Sequence, residues 1–324
     1  MANILVTGGA GYIGSHVVRE LTGNKYGVIV YDNLTEGHRE SVTDGEFIQG
    51  DINDIPMLNK IFESKKIDAV MHFSAFAYVG ESVENPEKYY SNNVCATLNL
   101  LSAMLKNNIK KFIFSSTCAT YGIPSYIPID EKHPQNPINP YGATKLMVER
   151  ILSDYADAYD LKYIALRYFN AAGAHPKGDI GESHRIETHL IPLVLKTLTK
   201  EKESVKIFGD DYETPDGTCI RDYIHVCDLA AAHRAALESV LSNGKNLRIN
   251  LGTGTGVSVR EIINVCEKAT GLKVPFSVTE RRPGDPPYLV AANSYAKETL
   301  NFNPKYDIEE TIKTAWEWEK NKRY

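Results

Sequence analysis

A tyrosine and a lysine four residues apart, Tyr141 and Lys145 in Tyr141-Gly-Ala-Thr-Lys145, share one face of any helix that carries them. Their Cβ atoms would stand about 5–6 Å apart. A free phenol has a pKa near ~10 and is a poor base at neutral pH, but a cation held beside it favours the phenolate. Such a phenol can take the proton of an alcohol while a hydride leaves the same carbon. The hydroxyl of Thr117, in Ser115-Ser-Thr-Cys-Ala-Thr-Tyr121, completes a relay of hydroxyl, phenol and ammonium suited to alcohol oxidation and ketone reduction. A solvated helix face gives the same five-residue pattern, so its meaning depends on the rest of the chain.

A hydride needs an acceptor, and the start of the chain suggests one. In Thr7-Gly-Gly-Ala-Gly-Tyr-Ile-Gly14 the glycines Gly8, Gly11 and Gly14 follow an apolar run and precede a helical pattern. Glycines at this spacing allow a tight turn, let the backbone approach a pyrophosphate, and pack helix against strand. The helix N-terminus then offers unpaired N–H groups to phosphates. Asp32 lies about 20 residues on, where a carboxylate bonds ribose hydroxyls and repels a 2′-phosphate, which favours NAD over NADP. Asp51 and Ile52 could flank the adenine, although a surface cap is an equally simple reading of Asp51.

The elements that must position these residues are short. Apolar runs at 4–7, 28–31, 46–49, 69–73, 111–115 and 163–166 read as strands, and helical patterns at 13–21, 94–106 and 141–158 fall between several of them. Runs without strict alternation suit parallel strands buried on both faces. Strands separated by helices imply right-handed crossovers and a doubly wound, Rossmann-type parallel sheet. After Asn170 the texture changes to glycine, histidine and proline. Residues 1–169 are therefore expected to form mainly the NAD-binding part, and 170–324 mainly a smaller α/β part for the nucleotide sugar, with some segments returning to the sheet. Residues 211–217 and 281–287 read as loops from their turn chemistry.

In these residues the chain resembles the extended short-chain dehydrogenase/reductase family, and within it the UDP-sugar 4-epimerases. The resemblance runs end to end through Thr7–His16, His72-Phe73, Val79-Gly-Glu-Ser82, Tyr89–Val94, Phe112–Ser116, Arg167-Tyr-Phe-Asn170, Gly173-Ala-His-Pro176, Arg221-Asp-Tyr-Ile-His225 and Asn250-Leu-Gly252. It implies NAD-dependent interconversion of UDP-glucose and UDP-galactose through a transient 4-keto sugar. Tyr141 would take the proton of the sugar 4-hydroxyl, Thr117 would hydrogen-bond the same oxygen, and Lys145 would bind the nicotinamide ribose and depress the tyrosine pKa. Besides these three, implied cofactor contacts are Gly8, Gly11, Tyr12, Ile13, Gly14, Asp32, Asn33, Asp51, Ile52, Phe73, Asn92 and Phe169. Thr117 and Tyr141 are also implied substrate contacts, with Asn170, Leu190, Phe208, Arg221, Arg282 and Asp285. Guanidinium forks such as Arg221 and Arg282 suit a diphosphate. A homodimer is implied through helices 94–106 and 141–158.

Departures from the family pattern mark where specificity is open. Thr117 stands where many members have serine, and the hydroxyl is kept. Ala77 replaces a lysine that contacts the cofactor in some members. His189 stands where asparagine is frequent, which leaves the uridine contact there open. Leu289 aligns with a position that limits sugar size, so N-acetylated UDP-hexoses remain an alternative, as do uronic acids and pentoses. A nucleotide-sugar 4,6-dehydratase would need an Asp-Glu pair where this chain has Cys118 and Ala119. A non-catalytic NAD sensor would not need Thr117, Tyr141 and Lys145 together.

Composition agrees with a soluble enzyme. Hydrophobic content is 43%, charged content 24% and net charge −5, which gives no electrostatic footprint for nucleic acid or an anionic membrane. Five scattered cysteines and the absence of a basic, apolar leader suggest the cytoplasm. Cys118 has no adjoining histidine and is not expected to be a nucleophile. His184, Glu187 and His189 match no helical ligand spacing, so no metal is expected. Trp316 and Trp318 read as docking residues for the last helix.

Overall fold

The computed structural model describes residues 1–242, 244–282 and 284–324. The apolar run of β1 (Asn3–Thr7) is buried on both faces, with Ile4, Leu5 and Val6 fully covered. It is followed by α1 (Tyr12–Gly23), β2 (Gly27–Asp32), β3 (Glu46–Gln49), α2 (Ile55–Ser64), β4 (Ala69–His72), α3 (Val79–Glu84) and α4 (Pro86–Tyr89). A π-helical turn, Tyr90–Cys95, leads into α5 (Ala96–Lys106), β5 (Lys111–Thr117), α6 (Pro140–Tyr159) and β6 (Lys162–Tyr168). The six expected strands all form, within a residue or two of the expected bounds.

They pair in parallel in the order β3-β2-β1-β4-β5-β6. The order reverses between β1 and β4, and ligands of open α/β sheets bind in the crevice at such a switch point. Two apolar layers cover the faces. On one, Val17, Val18 and Leu21 of α1 belong to the same cluster as Ile4 and Val6. On the other, Leu100, Leu101 and Met104 of α5 and Val148 and Leu152 of α6 cluster with Leu5, Phe112 and Phe114.

The remaining chain builds β7 (Asn170–Ala172), α7 (Leu190–Leu198), β8 (Val205–Phe208), β9 (Ile220–His225), α8 (Val226–Ser242), β10 (Leu247–Leu251), β11 (Gly256–Ser258), α9 (Val259–Thr270), β12 (Phe276–Thr279), β13 (Tyr288–Leu289), α10 (Ser294–Leu300) and α11 (Ile308–Lys320). β9 is flanked by β11 and β13 and also pairs with β7, while β12 pairs with β8. β10 instead extends the large sheet beyond β6, making it seven-stranded. Leu229, Ala236 and Leu237 of α8 pack in the same cluster as α1. Ser258 with Glu261, and Asp307 with Glu310, form capping boxes that start α9 and α11. Residues 211–217 form a loop without regular elements; of 281–287, Pro283 lies outside the described residues.

Candidate active site

The first turn of α1 is left open for a ligand. Its N-cap is Gly11, which offers no side-chain cap to the orphan N–H groups. Gly8 has φ +74, and a Cβ there would lie 2.4 Å from the Ser74 nitrogen. A Cβ on Gly14 would lie 2.2 Å from the Gly8 carbonyl oxygen. Both glycines are therefore demanded by the protein itself. Gly11 is different: a Cβ there would meet only the Gly8 oxygen, at 3.4 Å, an ordinary contact. Gly11 lines the crevice together with Gly8, Asp32, Asn33, Ile52, Phe73 and Asn92, and its missing side chain leaves the cradle a pyrophosphate needs.

Asp32 ends β2 with a buried carboxylate that accepts from Ala10 N at 2.9 Å and Leu34 N at 2.8 Å. Burial pushes its pKa up, and these two hydrogen bonds oppose the rise. Asn33 donates to Asp51 at 2.7 Å, and the Asp51 carbonyl accepts from Tyr31 at 2.8 Å, so Asp51 braces the crevice wall beside buried Ile52. Tyr12 also reaches the second half. Its phenol donates to the Gly173 carbonyl at 2.5 Å, which ties the glycine turn to the second half and leaves its backbone for the cofactor.

Thr117, Tyr141 and Lys145 meet at the carboxyl edge of the sheet. β5 ends on Thr117, whose hydroxyl accepts from Ala119 N at 3.1 Å. α6 begins at Pro140, a residue suited to the first helical position, and Asn139 caps it by accepting from Gly142 N at 2.8 Å. This cap puts Tyr141 in the first turn and Lys145 one turn on. Lys145 is buried, and its Nζ donates to the Ser115 carbonyl at 2.8 Å. Among the described residues no carboxylate pairs with it, and burial brings its pKa down to about 7. An ammonium has three donors; two remain for ligand hydroxyls.

The expected depression of the Tyr141 pKa is absent from the protein alone. Burial dominates and pushes the phenol up to about 12, against a smaller opposing pull from the Thr117 hydroxyl. The Lys145 Nζ lies 5.9 Å from the Tyr141 ring centre and is turned to the backbone. Burial of the phenol thus opposes its ionisation in the protein alone.

Among the residues expected to meet substrate, Arg221 is already paired with Asp285 at 2.5 Å and donates to the Ile220 carbonyl at 2.8 Å. The Arg282 guanidinium sits 3.9 Å from the Phe208 ring centre. Asn170 donates to the Asp222 carbonyl at 3.0 Å. Leu190, the first residue of α7, packs against the core of the second half. Phe169 is buried with Tyr121, Ile129 and Ala291, and Cys118 and Leu289 pack against this group. Leu289 therefore lies in one apolar patch with Cys118, the residue next to Thr117. The Cys118 thiol is pushed up to about 12 by burial, which disfavours the thiolate.

A buried network that spacing did not reveal holds α6 in place. Arg167 on β6 clamps Glu149 on α6 through Nε at 2.9 Å and Nη2 at 2.5 Å, and donates to the Tyr121 hydroxyl at 2.8 Å. Ser116 donates to Glu149 at 2.6 Å and Tyr121 to Asn250 at 2.6 Å. Glu149 is four residues beyond Lys145, so the fork fixes the helix that carries the relay. The one available signal was an i, i+4 continuation of the Tyr141–Lys145 face.

Comparison with known proteins places this geometry among relatives. The model of the NAD dependent epimerase/dehydratase family matches residues 4–252. The UDP-glucose 4-epimerase of Halalkalibacterium halodurans is 51% identical, over 98% of this chain and 95% of that protein. The crystal structure of UDP-glucose 4-epimerase from Brucella ovis in complex with NAD is 52% identical, with a TM-score of 0.96 and 98% of each chain covered. That of the Bifidobacterium longum enzyme in complex with NAD+ and UDP is 39% identical, with a TM-score of 0.94 and 99% of each chain covered.

Proposed function

We propose a function from a plain premise: this chain belongs to the NAD dependent epimerase/dehydratase family. It is an NAD-dependent isomerase that interconverts UDP-glucose and UDP-galactose through a transient 4-keto sugar. The observation that carries the residue-level reading is the meeting of Thr117, Tyr141 and a buried Lys145, without a carboxylate partner among the described residues, beside the β1/β4 crevice. Bound NAD supplies the oxidant that takes the C4 hydride and returns it. Tyr141 receives the proton of the 4-hydroxyl and gives it back, and Thr117 orients that oxygen. Lys145 holds the nicotinamide ribose with its spare donors. Asp32 holds the adenosine ribose, and the Gly8–Gly14 turn holds the diphosphate of the cofactor. Ile13, Asn33, Asp51, Ile52, Phe73, Asn92 and Phe169 shape that groove.

Arg221 and Arg282 hold the diphosphate of the sugar nucleotide, with Asp285, Phe208, Asn170 and Leu190 around the nucleotide. Anchoring through the nucleotide lets the sugar present either face, because a site that gripped the hexose tightly would oppose its turning. We place the enzyme in the cytoplasm as a homodimer through α5 and α6; no helix among the described residues is long and apolar enough to cross a membrane. The test is a parallel product assay with UDP-glucose, UDP-N-acetylglucosamine and UDP-xylose. Conversion of UDP-glucose to UDP-galactose is expected. Reduced-nicotinamide absorbance growing without epimerised sugar would overturn the reading.

A further inference from the structure

The loop between β7 and α7 gathers four side chains that sequence spacing gave no reason to combine. Glu182, His184, Glu187 and His189 each offer one ligand atom, and these atoms all lie within 4.8 Å of one another. Their separations are informative. His184 Nδ1 lies 3.3 Å from Glu182 Oε1 and 3.3 Å from Glu187 Oε2, the second a long hydrogen bond. Charge-assisted N–H···O bonds settle nearer about 2.7–2.9 Å. Ligands placed about 2.0–2.1 Å from a tetrahedral Zn²⁺ stand roughly 3.3–3.4 Å apart.

A second observation points the same way. Glu182 is 6% exposed, yet its Oε1 has no hydrogen-bond partner. His189 Nδ1 is 2.7 Å from it, but without the alignment that an N–H···O bond requires. A buried carboxylate oxygen without a hydrogen bond is costly unless a cation meets it, and a protonated His189 or a metal ion can do so here. Glu187 is pre-aimed: its Oε1 accepts from the backbone N–H groups of Thr188 and His189, both at 2.8 Å, which leaves Oε2 for the cluster. Two carboxylates also require two positive charges, which either two protonated imidazoles or one divalent ion with two neutral imidazoles supplies.

We propose that Glu182, His184, Glu187 and His189 bind one divalent first-row transition-metal cation, zinc by donor set, at a structural site. Two nitrogens and two carboxylate oxygens suit zinc, and four protein ligands close the sphere as in structural rather than catalytic sites. The half-exposed His189 gives an entry path. The ion staples a loop that meets three other parts of the chain. The Tyr12 and Tyr78 rings stand edge-on to His184, 6.3 and 6.1 Å between centres, and the Glu182 carbonyl accepts from Trp318 Nε1 at 2.8 Å. Leu190 follows the last ligand directly, so the staple also sets the start of α7.

The test uses NAD-containing protein without a polyhistidine tag, stripped with EDTA, incubated with ZnSO₄ and dialysed. About one zinc per chain is expected by mass spectrometry, with a thermal midpoint that falls on stripping and is restored by Zn²⁺ but not Mg²⁺. Glu182→Gln should weaken binding about tenfold or more, and the double variant His184→Gln/His189→Gln should retain no zinc. If the double variant does not fold, Co²⁺ added to stripped native protein should give the visible absorption of a four-coordinate site with nitrogen and oxygen donors. Zinc well below one equivalent in the native protein, equal zinc in a folded double variant, or a Co²⁺ spectrum no different from aqueous ion would overturn the proposal.

Discussion

The crevice proposed for the cofactor and the side proposed for the nucleotide sugar are built by different means. The crevice is mostly backbone: Gly8 and Gly14 sit where a Cβ would collide with Ser74 or Gly8, and Asp32 is held by two main-chain N–H groups. The sugar side is mostly long side chains from distant segments, with Arg221 paired to Asp285 across 64 residues and Arg282 laid on Phe208. The first is preformed, with little left to order. The second is pre-paired, so a diphosphate must share or displace existing partners. A groove that keeps its cofactor and a pocket that lets a sugar turn, as proposed above, would ask for these two constructions.

Substitutions can break or sharpen that contrast. The largest effect is expected at the junction of the two regions: Tyr141→Phe should lower kcat by about 10²–10⁴-fold with UDP affinity nearly unchanged, measured by steady-state turnover and UDP titration. Near-full turnover would unseat Tyr141 as the base. Gly14→Ala and Gly11→Ala come next, read by bound NAD and thermal midpoint. The first should lose NAD and about 1–3 kcal/mol of stability, because its Cβ strikes backbone. Gly11→Ala should lose NAD while melting near the native temperature; retained NAD would mean the cradle is elsewhere.

On the side-chain region, Arg221→Met should raise KM for UDP-glucose roughly 10–100-fold, the value of one or two charge-assisted hydrogen bonds, with kcat less affected. An unchanged KM would mean that the Asp285 pair is only structural. Lys145→Met should move the acid limb of the pH–rate profile to higher pH by about one unit or more. Nζ stands 5.9 Å from the phenol ring centre, near enough to act on it once ribose hydroxyls draw the ammonium into the crevice, and an unchanged profile would leave Lys145 the ribose contact alone. The smallest effect is expected from Leu289→Ala, a shift of up to about tenfold in the ratio of N-acetylated to plain UDP-hexose turnover, as befits a change in pocket volume.

The same contrast explains what could be read from the sequence. Strands buried on both faces leave continuous apolar runs, and a turn that tolerates no Cβ leaves glycines, so the sheet and the Gly8–Gly14 loop were legible. Thr117, Tyr141 and Lys145 were legible because two of them share a helix and the third ends a strand. The partners that fix them were not. Arg167 and Glu149 meet only because β6 lies beside β5 and α6 packs over both. Arg221 and Asp285 meet through the pairing of β9 with β13, where Leu289 stands opposite Arg221. Glu182 joins the histidines through the path of an irregular loop, which no helical or strand period encodes. The position of the ammonium has the same origin: four-residue spacing gave the face shared by Tyr141 and Lys145, but not the Ser115 carbonyl to which Nζ donates.

The placement of β10 has a consequence for how the protein is made. β6 and the apolar face of α1 are finished on one side only when β10 and α8 arrive, and β10 ends at Leu251, about 80 residues after β6. At ~5–20 residues per second, a ribosome needs roughly 4–16 s to cover that interval. Throughout it, Lys162–Tyr168 is a bare strand edge, the kind of surface that recruits a second chain. Synthesis rate, and any chaperone that occupies that edge, should therefore govern soluble yield more strongly than the stability of the finished sheet.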